Sequence, residues 1–145
     1  MDFDFVLQGY EKAMAVHNSL FESNNLEEHY NFIVKNLRYT TTPPSRIYEI
    51  TESEKTFLMI TILKFINAGL ENKINLIRMA DGTLNINYSS YPIGCIRLIK
   101  KKTYMQILTS LYGHYSIEYC KLEEYINKID EWITYTKYIV DKETY

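Results

Sequence analysis

The chain has 145 residues, 46% of them hydrophobic and 23% charged, with a formal net charge of −2. That is one ordinary domain with enough apolar material for a core, so wholesale disorder is excluded. The mild acidity argues against a dedicated nucleic-acid binder, which is usually basic overall.

Cys95 and Cys120 are too few for a disulfide framework and point to a reducing cytosol, the host's if the source is viral. The acidic opening Met-Asp-Phe-Asp-Phe does not read as a secretion signal. The longest apolar run, Phe57 to Ile66, is broken by Thr61 and Lys64. It is about half of the roughly 20 residues a membrane span needs, so no membrane association is expected. Asn87-Tyr88-Ser89 matches a glycosylation acceptor triplet, which is common by chance and has no meaning in the cytosol. Fourteen tyrosines stand out. Together with abundant Ile, Lys, Asn and Thr they suggest an AT-rich genome, such as a low-GC bacterium, its phage or another virus.

Residues 4–22 read as a helix, with Val6, Tyr10, Ala13, His17, Leu20 and Phe21 on one face. Asn24-Asn25 breaks it. A second helix follows from Leu26 to Arg38 with an apolar stripe of Leu26, Tyr30, Ile33 and Leu37, and the two predict an antiparallel hairpin. Residues 40–45, with Pro43-Pro44, read as a loop within one domain spanning 1–145. Arg46 to Ile50 alternates like a short strand. Thr51-Glu52-Ser53-Glu54 is a capping box that opens a third helix over 52–68, closed by Gly69. Its apolar residues occupy most of the circumference, which predicts the most buried helix.

The period then changes to two. Ile74–Ala80 and Thr83–Ser89 flank Asp81-Gly82, a strong hairpin signal. Leu84, Ile86 and Tyr88 face one way and Thr83, Asn85 and Asn87 the other, as in a sheet with one wet face. Ile93–Ile99 reads as a third strand and residues 100–103 as a turn. Tyr104–Thr109 reads as a fourth strand or the start of a helix, and 110–118 fits either. A long helix runs from Lys121 to Val140 on a seam of Leu122, Ile126, Ile129, Ile133 and Val140, flanked by Tyr125 and Trp132. The expected fold is α+β: a helical hairpin and a buried central helix on a three- or four-stranded antiparallel sheet, with a long C-terminal helix.

Charge is unevenly spread. The net is −4 over residues 1–55, +5 over 56–105 and −3 over 106–145. The basic segment peaks at Arg97, Lys100, Lys101 and Lys102, beside Tyr104. Those five residues form one candidate binding site, for phosphates or an acidic protein surface. The plainer reading is a solvated turn whose lysines discourage strand pairing. Glu131, Tyr135 and Tyr138 form the second candidate, an aromatic face among acids that is expected to be partly exposed.

No catalytic motif is legible. His17, His29 and His114 have no Cys, Asp or Glu at metal-ligand spacing, so no metal or cofactor is expected. His17 falls on an apolar helix face, and His114 is the best acid–base candidate by type. Cys120 lies near a helix start, where a thiolate is favoured, but both cysteines read as buried filler. There is no nucleophile elbow, P-loop or Rossmann glycine pattern. Asp2 and Asp4, Glu52 and Glu54, Glu123 and Glu124, and Asp130 and Glu131 read as helix-start charges or solvated faces. A site assembled from distant residues such as His114 and Glu118 is the remaining route to an enzyme. If residues 110–120 are helical, Tyr112, Tyr115 and Tyr119 continue the core seam.

The expectation is therefore a non-enzymatic interaction or inhibitor protein. In size and style alone it is similar to the accessory and anti-defence proteins of phages, anti-CRISPR proteins among them, and no motif residues carry that likeness. The expected partner is a host protein or ribonucleoprotein complex, with self-association as a homodimer also in view. The alternative is a small nucleic-acid-binding module built on the lysine-tipped hairpin.

Overall fold

The computed structural model describes residues 23–40, 46–109 and 113–143. The helix expected over 4–22, and with it the helical hairpin, lies outside the described residues. So do His17, the Pro43-Pro44 loop and Tyr112.

The first described helix, α1, spans Ser23–Lys35. Leu26, Tyr30 and Ile33 are buried at the predicted spacing. It stops short of Arg38 because Arg38–Tyr39 forms a two-residue strand, β1, paired in parallel with Ile77 and Arg78. The expected strand over 46–50 does not form. Tyr48 instead turns its ring toward a cluster of cations, and its hydroxyl donates to the carbonyl of Ala80 at 2.7 Å.

Helix α2 spans Glu52–Asn67 and opens with the predicted capping box. The Thr51 N–H donates to Glu54 Oε1 at 3.1 Å, and the Glu54 N–H donates to Thr51 Oγ1 at 3.2 Å. Its other end closes at Gly69, whose φ is +86°. There the N–H groups of Gly69 and Leu70 donate to the carbonyls of Ile66 and Phe65, a Schellman closure. Phe57 through Leu63 are all buried, as expected for a helix apolar on nearly every side.

Strands β2 (Ile74–Arg78), β3 (Leu84–Tyr88), β4 (Tyr91–Arg97), β5 (Tyr104–Leu108) and β6 (His114–Glu118) follow. The sheet has six strands in the order β1 to β6, antiparallel throughout except for the β1–β2 pair. The class is α+β as predicted, with more strands than expected and a mixed sheet. Within the stretch 110–118, which fitted either helix or strand, His114–Glu118 form β6. Helix α3 spans Leu122–Glu143. Among the described residues no helix is long and apolar enough to cross a membrane.

The helices lie on one face of the sheet, with α2 between α1 and α3. Helix α3 packs closely where it crosses β4 and β5. Trp132 is fully buried and donates its indole N–H to the carbonyl of Gln106 at 2.9 Å. Its ring meets Phe57 of α2 edge to face, with centroids 5.5 Å apart. Gly94 makes that approach possible: a Cβ there would sit 2.3 Å from Trp132 Nε1 and 2.4 Å from the Gln106 carbonyl.

Candidate functional site

Because consecutive strands are neighbours, the β2–β3 loop, the β4–β5 loop and the β6–α3 junction all fall at one end of the sheet. That end gathers the first candidate site. Arg97 faces inward along the sheet. Its Nη1 donates to Asp81 Oδ2 at 3.0 Å, its Nε donates to the Lys102 carbonyl at 3.1 Å, and its guanidinium lies 4.7 Å from the Tyr104 ring centre. The Tyr104 hydroxyl is hydrogen-bonded to Thr83 Oγ1 at 2.9 Å. Arg97 and Tyr104 are therefore engaged with the sheet, and only the three lysines project from the turn. Lys100, Lys101 and Lys102 are all exposed. Lys100 Nζ lies 5.8 Å from the Tyr48 ring centre, and Lys102 pairs with Glu118 at 3.4 Å.

The electrostatics follow from these contacts. Burial raises the Asp81 carboxyl, but bonds from Thr83 and the Arg97 charge outweigh it and hold its pKa below the ordinary value. Burial pushes the Tyr104 hydroxyl up, against the bond from Thr83. The Cys95 thiol is likewise raised, mainly by burial. Cys120 is raised by burial and then by Glu124, so its place before α3 does not favour a thiolate.

Four participants escaped the sequence reading. Arg46 and Tyr48 come from the segment taken for a strand, and the Arg46 guanidinium lies 4.9 Å from the Tyr48 ring centre. Ile47 between them is 74% exposed. On the other flank, Tyr119 is 70% exposed and holds a left-handed backbone, φ +56°. Its N–H donates to the Thr103 carbonyl at 3.0 Å, which joins it to the lysine turn. Buried Tyr125 anchors both pieces: its hydroxyl bonds Thr103 Oγ1 at 2.8 Å and accepts from the Cys120 N–H at 3.1 Å.

Beneath the site lies a buried ion pair. Arg78 and Glu54 are 0% and 1% exposed, with Arg78 Nη2 donating to Glu54 Oε1 at 3.3 Å and Nη1 closer still to Oε2. Nη1 also donates to the Gly82 carbonyl at 2.9 Å, which fixes the β2–β3 loop. Glu54 thus caps α2 and neutralises Arg78 at once. It is no solvated helix-start charge, as the carboxylate pairing suggested.

The second candidate divides. Glu131 is exposed and Tyr138 is 40% exposed, but Tyr135 is only 7% exposed and belongs to the core. The buried arc of α3 runs through Ile129, Trp132, Ile133, Tyr135, Thr136 and Ile139, wider than the predicted seam, and it takes in position 135. Val140, placed in that seam, is only half-buried.

Among the described residues, those considered for chemistry lie apart. His114 and Glu118 stand four residues apart on one extended strand, roughly 13 Å by strand geometry. His29 accepts from the Asn72 amide at 2.6 Å through Nδ1. Among the described residues no group of three or more His, Cys, Asp or Glu is placed to hold a metal ion. Comparison with protein-family models, curated proteins and solved structures returns no match, so the site is read from its own geometry.

Proposed function

We propose that the chain works by binding, as a non-enzymatic interaction protein that covers an acidic surface of a protein or ribonucleoprotein complex. The observation that carries this reading is the pairing of exposed apolar anchors with exposed cations on one rim. Ile47 precedes Tyr48, whose ring lies 5.8 Å from Lys100 Nζ, and the Tyr119 N–H is bonded to Thr103, next to Lys102. Interface hot spots have this make-up: an aromatic or aliphatic anchor with charges that set orientation and on-rate. Tyr119 adds a second point. A left-handed tyrosine costs about 1–2 kcal/mol in backbone energy, and such strain clusters at binding sites. Steric occupation by this rim is the mode expected of a small inhibitor.

A parallel pull-down tests the reading, with wild type and an Ile47→Ala, Lys101→Glu, Tyr119→Ala variant as baits. A partner held by wild type and lost from the variant supports it. A partner retained equally by both contradicts it. The three consecutive exposed lysines also favour a second reading, a polyanion site for nucleic acid. In that case binding to DNA or RNA would fall steeply with salt and weaken when the three lysines become alanine. Stacking of bases on Tyr104 is not part of it, since Arg97 covers that ring.

A further inference from the structure

We propose that the outer edge of β6 pairs with β6 of a second copy of this chain, antiparallel about Ser116, to join the two sheets into one. Three observations carry this. First, β6 is the last strand of the sheet, and among the described residues no strand pairs with its outer side. The opposite edge, β1, is blunted by being two residues long. β6 has five residues, with neither proline nor lysine to discourage pairing.

Second, the direction of its free groups is fixed by its pairing to β5. Thr109 donates to the Gly113 carbonyl, and Tyr119 donates to the Thr103 carbonyl. Alternation along the strand then turns the backbone of 115 and 117 toward β5. The N–H and C=O groups of His114, Ser116 and Glu118 point outward, and these three residues are exposed.

Third, the sequence His114-Tyr115-Ser116-Ile117-Glu118 complements itself in reverse. With Ser116 opposite Ser116 of the second copy, His114 faces Glu118 and Tyr115 faces Ile117, each pair occurring twice by symmetry. Aromatic–β-branched pairs are a favourable cross-strand combination, and an imidazole N–H of His114 can donate to the Glu118 carboxylate. The register also sets outward backbone groups opposite outward backbone groups, so 114, 116 and 118 can each exchange N–H···O=C bonds with their opposites. Tyr115 and Ile117 already pack against the core on the helix side. Glu118 bridges Lys102 of its own chain and His114 of the second.

Sedimentation equilibrium of the full chain, from low micromolar to several hundred micromolar, reads the association. Amide hydrogen exchange over the same range reads its location. The expected result is a monomer–dimer equilibrium in which the amides of His114, Ser116 and Glu118 gain protection with concentration. Those of Tyr115 and Ile117 are protected throughout. His114→Glu places glutamates opposite each other at both symmetric pairs and lowers association by about tenfold, and His114→Glu with Glu118→His restores it. Ser116→Pro removes an outward donor that β5 does not use, so it abolishes the dimer while the circular dichroism of the monomer is kept. A chain that stays monomeric over the whole range overturns the proposal. So does a dimer whose 114, 116 and 118 amides exchange at a rate independent of concentration, or one that His114→Glu leaves as tight as wild type.

Discussion

Tyr119 shows how stability and binding separate at a single residue. Its left-handed φ of +56° is a conformation glycine adopts freely. Tyr119→Gly should therefore raise stability by about 0.5–1 kcal/mol, measured by urea denaturation, while weakening partner binding. A role confined to folding would give no loss of binding. Gly94 is the opposite case. Gly94→Ala drives a methyl group into Trp132 and the Gln106 carbonyl and should cost about 2–4 kcal/mol. Glu54→Ala leaves Arg78 charged and unpaired in the core, for a loss of about 3–5 kcal/mol, whereas replacing both partners with apolar residues should cost much less. Asp81 gives a pH signature. Its carboxyl pKa is lower folded than unfolded, so its contribution is present above the unfolded value and fades as pH falls through the folded one. Thermal melts should show wild type losing more than Asp81→Asn below about pH 4. The effect is small because the Asp81 side chain is 45% exposed and screened.

At the scale of elements, legibility followed the strength of local signals. The capping box at Thr51 and Glu54 and the Gly69 closure each specify backbone geometry through a few neighbouring residues and formed as read, while Asp81-Gly82 gave the expected hairpin with shorter strands and a three-residue turn, Met79 lying opposite Thr83. β1 and β6 were harder because their signals are not local. Arg38–Tyr39 becomes a strand only because β2 offers an edge to pair with. Residues 114–118 carry an alternation too short to outweigh the helical spacing of Tyr112, Tyr115 and Tyr119. Thr51→Ala should cost about 0.5–2 kcal/mol through loss of the α2 cap, measured by denaturant unfolding. At the site, the lysine run was visible as a charge peak. The inward engagement of Arg97 and Tyr104 was not, since it depends on Asp81 and Thr83 arriving from a separate hairpin. Nothing in the sequence marks Ile47 as exposed, because exposure of a single apolar residue is a tertiary outcome, and helical spacing places Tyr119 in the core seam although it is 70% exposed.

Across the whole molecule the construction is asymmetric. Among the described residues three helices cover one face of the sheet, while the other carries the polar row Asn85, Cys95, Gln106 and Ser116 that the strand registers bring side by side. One end of the sheet carries the exposed lysines, linked through Tyr48 to the segment of exposed Ile47 and through Thr103 to exposed Tyr119. This end is the proposed contact surface for a partner. Photo-crosslinking tests it most directly, with a benzophenone amino acid placed singly at 47, 119 or 32. Phe32 is the control, since it is 64% exposed but lies on α1. The account predicts that positions 47 and 119 yield the same adduct and position 32 yields none. An adduct from position 32 with none from 47 or 119 would contradict it.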